Sequence, residues 1–446
     1  MNHNIAARRV LGSVFDMVAG MCAMLYAGIV LLWILASPYP ALQDYLEWLY
    51  QGHVFAALVK ANASAVAAFQ MALYPIPNSL MQVMLGLLNL FLLPILAAKI
   101  LLIIYLISFM VMLMLIARYV SLAHSGKLLL VLTTTTALNS SFWNGYINVQ
   151  MSLLLFSIFF YLCYLKGHQG LAILFTFSLA IFFCHAITFA FLVGFLGIRE
   201  TTLQPEKWLR WPRFKICAGI LPALGLLLWY IVARGPSSAT GVSPLPGKAI
   251  GDSFGAFLAY KLYTIMKQGA FHVFEFPDRT SHLASHDTLY WVGVALNGLF
   301  AVLLVAALLW GMWDVYRSKR WPDLRFLLPL VVCIGVPYFM LPQVFLGIVN
   351  FSERLLLPTL IVLFCLLPVR PAMFAALCVP VLTALPLTMV FLINPQILAH
   401  HNQGMYHRFF THRPYQFAVK PEVFSSLGTH PYLPLDFETS VLFNRH

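Results

Sequence analysis

Long apolar segments restrict what this chain can fold into more than any other feature. The first runs from Val14 to Ala36, about two dozen residues, and exceeds the ~20 residues that a helix needs to cross a bilayer. Several segments of similar length follow, and hydrophobic residues make up 61% of the 446-residue chain. A membrane β-barrel would show ~10-residue segments of alternating polarity instead, and this sequence has none. We therefore expect an all-α polytopic membrane protein.

The apolar pattern predicts about 11 transmembrane helices. They are expected near 13–36, 100–118, 128–143, 148–165, 171–184, 186–198, 216–233, 289–312, 326–345, 354–369 and 372–393. The fifth and sixth are short for a bilayer and are expected to form a hairpin. An odd number of spans places the two termini on opposite sides of the membrane.

The distribution of charge predicts the orientation. With the N-terminus in the cytoplasm, the cytoplasmic segments carry 15 cations and five acids, a net charge of +10, out of +12 for the whole chain. The outer segments then carry only +2. Short, basic cytoplasmic loops are what the positive-inside rule requires. The basic balance is thus explained by membrane topology, and no nucleic-acid partner is needed to account for it.

The same topology divides the chain into two parts. The predicted transmembrane domain is 1–393, its two long outer loops are 37–99 and 234–288, and a small extracytoplasmic tail or cap is 394–446. Inside the outer loops, 79–96 is expected to be a re-entrant or interfacial helix with Pro94 near its end. The segment 254–267 is expected to be a helix along the membrane surface.

Two carboxylates stand immediately after the first predicted span. Asp44 and Glu47 are three residues apart, which places them on one face of a helix, and Trp48 and Tyr50 suit a membrane–water interface. A carboxylate at such a boundary is partly desolvated and accepts a proton more readily near neutral pH. The alternative is a solvated loop whose acids face water.

A second polar cluster lies at residues 139–150, with the sequence NSSFWNGYINVQ. Its amides could hydrogen-bond a polar ligand that stacks on the ring of Trp143. The candidates are Asn139, Trp143, Asn144, Asn148 and Gln150. The alternative is a turn whose amides cap two helices and satisfy their own backbone.

Three further ionisable residues interrupt apolar sequence. Glu353 and Arg354 open a predicted span from the outer side, where an arginine can bind a phosphate through two hydrogen bonds. The alternative is an arginine that extends to the interface or pairs with Glu353. His185 lies at the tip of the short hairpin, where it is either functional or a hydrogen-bonded structural residue.

The order of these features resembles the GT-C superfamily of multi-spanning glycosyltransferases, which use polyprenyl-phosphate-linked sugars. The likeness is to its bacterial branch around the protein O-mannosyltransferases and aminoarabinose transferases. The segments that carry it extend over most of residues 14–370. They are PYPALQDYLEWLYQGHVF, YPIPNSLMQVMLGLL, PILAAKILLIIYLI, FWNGYINVQMSLLLF, FFCHAITFAFLV and NFSERLLLPTL.

The resemblance implies a catalytic acid in the first outer loop that acts as a base on the acceptor or orients a divalent cation such as Mg²⁺ or Mn²⁺. Asp44 holds the matching position, and Glu47 is the second choice. The family often pairs this acid with another acid or a histidine. Here Glu47 and His53 are the nearest such residues.

The remaining site residues follow from the resemblance and the clusters together. Donor phosphate binding is assigned to Arg354, Glu353, Lys261 and His53. Substrate binding is assigned to Trp143, Asn144, Asn148 and His185.

The predicted activity is inverting transfer of a sugar from a polyprenyl-phosphate donor to a lipid, glycan or protein acceptor. The expected location is the outer face of the bacterial cytoplasmic (inner) membrane, with membrane lipids around the chain. Two alternatives stay open. One is a transporter or flippase for a lipid-linked or polar solute, which would place its ionisable groups in mid-membrane. The other is a non-catalytic scaffold with a GT-C-like fold.

Overall fold

A computed structural model describes residues 2–37, 42, 45–62, 70–71, 74–168, 170–203, 211–234, 253–272, 288–341, 344–345, 348–349, 351–393 and 443–444. These residues are almost entirely helical, so the predicted fold class of a helical, polytopic membrane protein is confirmed at that level. The helices are α1 (Asn2–Ala36), α2 (Tyr45–Val59), α3 (Leu80–Asn89), α4 (Pro94–Val120), α5 (Ser125–Leu132), α6 (Ser140–Trp143), α7 (Ile147–Phe159), α8 (Leu171–Cys184), α9 (Ala186–Leu203), α10 (Trp211–Arg234), α11 (Phe254–Met266), α12 (Thr288–Arg317), α13 (Trp321–Met340), α14 (Phe351–Leu366) and α15 (Pro371–Ile393).

Among the described residues, seven helices are long and apolar enough to cross a membrane. They cover Ser13–Ala36, Pro94–Val120, Ile147–Leu165, Phe214–Ala233, Thr288–Arg317, Asp323–Met340 and Pro371–Val390. Each corresponds to one of the predicted spans. The other four predicted spans fall on α8, α9 and α14, which have 14, 18 and 16 residues, and on an interrupted helix at 128–143. The total of eleven stays a prediction.

The predicted span at 128–143 is not one continuous α-helix in the structure. Thr133 and Thr135 donate their hydroxyls to backbone carbonyls four residues earlier, at 2.7 and 2.8 Å, a contact that bends helices. The backbone widens into a π-helical turn at Thr133–Ala137. Asn139 then caps the one-turn helix α6, which ends before Gly145 at φ 77°. Helix α6 is therefore held inside the protein as a separate element.

The C-terminal boundary predicted for the 79–96 helix is wrong. Helix α3 ends at Asn89, and Pro94 begins α4 instead of closing α3. Proline suits the first turn of a helix because its missing N–H has no partner there in any case. Helix α3 packs against α2, and Gly86 makes this possible, since a Cβ there would lie 2.3 Å from the Phe55 ring.

The interior of the fold lies around α7 and α4. In the spans that contain these helices, 72% and 56% of the most apolar window is buried, against 22% in α10. Helix α7 packs against α4, α8, α9 and α14. Its polar residues therefore face other helices, while α10 presents apolar side chains outward.

Two short antiparallel ladders complete the described structure. Strand β1 (Gln70–Met71) pairs with β4 (Phe443–Asn444), and β2 (Val344–Phe345) pairs with β3 (Ile348–Val349). The first ladder joins the predicted C-terminal tail to the first outer loop. The second is a hairpin that leads directly into α14.

Candidate functional site

The candidate site is built around the first turn of α14. Glu353 and Arg354 lie there, and both side chains are buried. An acid in the first turn of a helix interacts favourably with the helix dipole. Two buried charged residues next to each other in an apolar chain need partners, and other helices provide them.

Glu353 is held by side chains from two distant parts of the sequence. The hydroxyl of Ser140, in α6, donates to Oε1 of Glu353, and Nζ of Lys267 lies 3.4 Å from Oε2. Lys267 is the C-cap residue that directly follows α11. Both carboxylate oxygens of Glu353 thus have side-chain partners, and the break in the helix before α6 is what brings Ser140 within reach.

Arg354 makes a different set of contacts. Its Nη1 lies 3.2 Å from Nε2 of His185, and its guanidinium lies 4.8 Å from the ring centre of Tyr146. The Nε of Arg354 is buried and has no hydrogen-bond partner within the described structure. A guanidinium carries five N–H donors and binds oxyanions through pairs of them. This arginine is therefore ordered and still has a donor to offer.

The contact with Arg354 fixes the protonation of His185. A guanidinium only donates, so Nε2 of His185 accepts and carries no proton. Nδ1 lies 3.1 Å from the Thr188 hydroxyl, which lies 2.7 Å from the hydroxyl of Ser152 in α7. His185 is thus a neutral, hydrogen-bonded residue that orients Arg354.

Trp143 contributes an aromatic contact on the same one-turn helix as Ser140. Its ring lies 5.7 Å from that of Trp33, near the end of α1, and stacks on His272 at 6.0 Å and 27°. Trp33 precedes the predicted first outer loop, 37–99, by only a few residues. The start of that loop is therefore connected by aromatic packing to the cluster around Glu353.

The amides of residues 139–150 mainly hold the backbone. Asn139 accepts from the N–H of Phe142 at 3.1 Å and also binds Gln150. The Gln150 Oε1 accepts from Tyr105 at 2.7 Å. The structure supports the capping interpretation for Asn139, whereas Gln150 binds the side chains of Asn139 and Tyr105.

Asn144 is the C-cap residue that follows α6. Asn148 differs from Asn139 and Gln150, and its side chain donates to the backbone carbonyl of Asn78 at 2.9 Å. The Oδ1 of Asn148 is buried and has no hydrogen-bond partner among the described residues. Asn148 therefore keeps an acceptor available, as a ligand-binding residue would.

Lys261 and His53 are the other two predicted phosphate-binding residues. Nζ of Lys261 donates to the carbonyl of Leu341 at 2.7 Å and lies over the rings of Phe257 and Tyr338. Burial lowers the pKa of Lys261 to about 8. His53 lies in α2, where burial and the charge of Lys60 lower its pKa.

The two predicted catalytic acids cannot be placed by contacts. Asp44 lies outside the described residues, and Glu47 lies in α2 with a side chain that is not described. Their flanks are anchored, because Leu42 and Tyr45 are buried and the hydroxyl of Tyr45 donates to the carbonyl of Ala98 at 2.8 Å. Within the described residues no group of three or more His, Cys, Asp or Glu side chains is arranged to hold a metal ion.

Three residues of the cluster were missed by sequence reasoning. Ser140 lies inside the polar segment 139–150 but is outnumbered there by amides. Lys267 and His272 follow the apolar helix α11, and their only signal is a cation and an imidazole in otherwise apolar sequence. That signal was used for Arg354 and His185 and applies equally to these two residues.

Searches against protein families, curated proteins and solved structures found no match to this chain. The geometry therefore carries the functional inference. It combines an ordered arginine with an unused donor, a paired lysine and carboxylate, and a neutral histidine, all buried at the ends of apolar helices. Such an arrangement can bind an anionic group whose remainder is apolar.

Proposed function

We propose that the chain is an inverting membrane glycosyltransferase of the GT-C type. It would move a sugar from a polyprenyl-phosphate donor to an acceptor at the outer face of the bacterial cytoplasmic membrane. The observation that carries the proposal is the buried Arg354. Its Nε has no hydrogen-bond partner among the described residues, and Arg354 adjoins Glu353, which is paired with Lys267.

The cluster suits a phosphate attached to a lipid. Arg354 and Lys267 supply two positive charges against the one carboxylate of Glu353, so the three groups carry a net charge of +1. An oxyanion bound there gains charge-assisted hydrogen bonds in an environment that water does not screen. The apolar surfaces of the surrounding helices provide for the hydrocarbon tail.

The proposed reaction needs a base and a stabilised leaving group. The acceptor hydroxyl oxygen forms a bond to C1 of the sugar while the bond from C1 to the phosphate oxygen breaks, which inverts the configuration. Asp44 takes the hydroxyl proton. The polyprenyl phosphate leaves with its electron pair, and Arg354 and Lys267 stabilise the negative charge that develops on it.

The position of Asp44 in the sequence fits this role. It follows Trp33 by eleven residues, and Trp33 contacts Trp143, which shares α6 with the Glu353 partner Ser140. The loop that carries Asp44 therefore begins beside the proposed phosphate site. Glu47, three residues later in the sequence, would support Asp44.

The proposal requires the site to face outward. We expect 37–99, 234–288 and 394–446 outside and the basic loops 199–215 and 313–325 in the cytoplasm. In a background without the native cysteines, an impermeant thiol reagent added to intact cells should label T240C and spare R210C. The reverse pattern would place the site in the cytoplasm and contradict the proposal.

The direct test is consumption of a defined donor. The purified full chain, in detergent with a membrane extract as acceptor, is given undecaprenyl-phosphate glucose, mannose, galactose or aminoarabinose, and released undecaprenyl phosphate is measured by mass spectrometry. Release from one donor, dependent on the extract, is expected. If the chain in proteoliposomes moves intact donor across the bilayer without releasing undecaprenyl phosphate, a flippase would be favoured. Donor binding with neither result would favour a scaffold.

A further inference from the structure

His272 is a buried side chain whose two ring nitrogens have no hydrogen-bond partner among the described residues. Its relative exposure is 0%, and neither Nδ1 nor Nε2 has a hydrogen-bond partner in the described part of the chain. Buried polar atoms are almost always hydrogen-bonded because leaving them unpaired is costly. Within the part of the chain that the structure describes, nothing satisfies these nitrogens, and a bound molecule could supply their partners.

The charge state of the ring limits what that molecule is. Burial, together with the charge of Lys267, lowers the pKa of His272 to about 3, so the imidazole is neutral at neutral pH. A neutral imidazole offers one N–H donor and one nitrogen acceptor. A phosphate oxygen can satisfy only the donor, whereas hydroxyl groups both donate and accept. The ring is complementary to hydroxyls.

The location of the ring connects it with the phosphate site. His272 stacks on Trp143, and Trp143 lies three residues after Ser140 in α6, which places the two on the same side of that turn. Ser140 holds Glu353, next to Arg354. A molecule whose phosphate binds Arg354 and Lys267 would therefore have its next chemical group near His272.

We propose that His272 binds a hydroxyl of the sugar carried by the donor and helps to select that sugar. The inference rests on the proposed function and adds a specificity-determining residue to the same site. The substrate class is a neutral, hydroxyl-bearing sugar joined through C1 to the lipid phosphate. A site built to hydrogen-bond a hydroxyl strongly rejects an analogue that lacks it.

The test separates the sugar from the phosphate. Dissociation constants of the full chain in detergent are measured for undecaprenyl phosphate and for undecaprenyl-phosphate glucose, mannose and galactose. H272F keeps a stacking ring and removes both nitrogens, while H272Q keeps a donor and an acceptor. H124F makes the same change at a histidine that precedes α5 and whose charged neighbours are Lys127 and Asp16.

The wild type should bind one sugar donor more tightly than undecaprenyl phosphate. H272F should weaken that donor by about ten- to one-hundredfold, the effect of losing buried hydrogen bonds, and leave undecaprenyl phosphate unchanged. H272Q should lose less, and H124F should match the wild type. If H272F does not fold, analogues of the preferred donor that each lack one hydroxyl provide the test. The analogue that lacks the hydroxyl bound by His272 should bind the wild type weakly. H272Q should not weaken the binding of that analogue further.

Three results would overturn the inference. They are equal weakening of bare and sugar-bearing lipids by H272F, an unchanged sugar preference in H272F, and a wild type that does not distinguish sugar donors from undecaprenyl phosphate. In all three the phosphate site still stands. If undecaprenyl phosphate itself fails to bind the wild type, the proposed function fails first and this inference with it.

Discussion

Two buried carboxylates, Asp16 and Glu353, are held in opposite ways. Asp16, near the start of the first span, accepts backbone N–H groups of Gly126 and Lys127 at 3.2 and 3.0 Å. Asp16 lies in α1, and its carboxylate therefore caps the N-terminus of the neighbouring helix α5. Glu353 accepts instead from the side chains of Ser140 and Lys267. The seventeen residues from Asp16 to Trp33 span ~25 Å of helix, so the two acids serve different ends of the protein.

The difference separates a structural acid from one suited to function. A carboxylate bound to backbone N–H groups cannot change partners without moving a helix. Side chains such as Lys267 and Arg354 can change rotamer and exchange a protein partner for a ligand. Burial alone would not have distinguished the two acids, whereas the identity of their donors does.

Asp44 gives the largest expected effect, because it would be an acid that contacts the reacting group. D44N removes the charge and keeps the size. Transfer should fall by ~10²–10⁴-fold, as is typical when a general base is lost, while the melting temperature and donor affinity stay those of the wild type. Donor turnover and a thermal unfolding curve on the same preparation measure both.

E47Q is the matched control for D44N and should cost less activity. If E47Q abolishes transfer and D44N does not, the two roles are exchanged. If neither substitution changes the rate, the first outer loop does not supply the base, and Glu353 would become the acid to examine.

D16N and E353Q should separate in their response to ligand. D16N places an amide N–H against the backbone donors of α5 and should lower the free energy of unfolding by about 1–3 kcal/mol. E353Q leaves Lys267 without its anion, which is also destabilising. Undecaprenyl phosphate should restore the melting temperature of E353Q, because its phosphate replaces the carboxylate, and should not restore D16N. Equal responses in the two variants would remove the functional distinction between the acids.

The sequence was informative where segments are long and uniform. Seven apolar segments are the seven long helices, because hydrophobic length depends on local composition alone. It was uninformative where hydroxyls compete with the helix, as at Thr133–Ala137, since apolar periodicity does not register a threonine bonded to its own backbone. The break there positions both Ser140 and Trp143.

Long-range pairing was beyond sequence reasoning for a related reason. Arg354 and His185 were both predicted to be functional, but their contact joins residues 169 apart. Ser140 and Glu353 are 213 apart. Only the packing of α14 against α7 and α9 brings such residues together. The residue types were therefore predictable, and their partners were not.

Gly126 tests whether Asp16 is a structural acid, held by close packing of α1 against α5. A Cβ at Gly126 would lie 1.9 Å from the backbone oxygen of Asp16, so G126A must push α1 and α5 apart. The expected loss is about 1–3 kcal/mol in the free energy of unfolding. At Gly28, also in α1, an added Cβ would meet nothing within 4 Å, and G28A should be neutral or stabilising by up to ~1 kcal/mol. Similar melting temperatures for the two variants would contradict the close packing at Asp16.

Arg354 tests whether the site around Glu353 binds phosphate, and it gives the smallest expected effect. R354K keeps the positive charge but removes the planar fork and with it Nε, which has no hydrogen-bond partner among the described residues. A bound phosphate therefore loses one charge-assisted hydrogen bond. We expect about tenfold weaker binding of undecaprenyl phosphate and a melting temperature close to that of the wild type. R370K is the matched control, because Arg370 also makes a bidentate contact, to Asp314 at 3.0 and 3.1 Å, on an exposed surface, and its replacement should leave lipid affinity unchanged. Equal affinity of R354K and the wild type would mean that Arg354 packs on Tyr146 and His185 without binding phosphate, and Glu353 would then be a structural acid like Asp16.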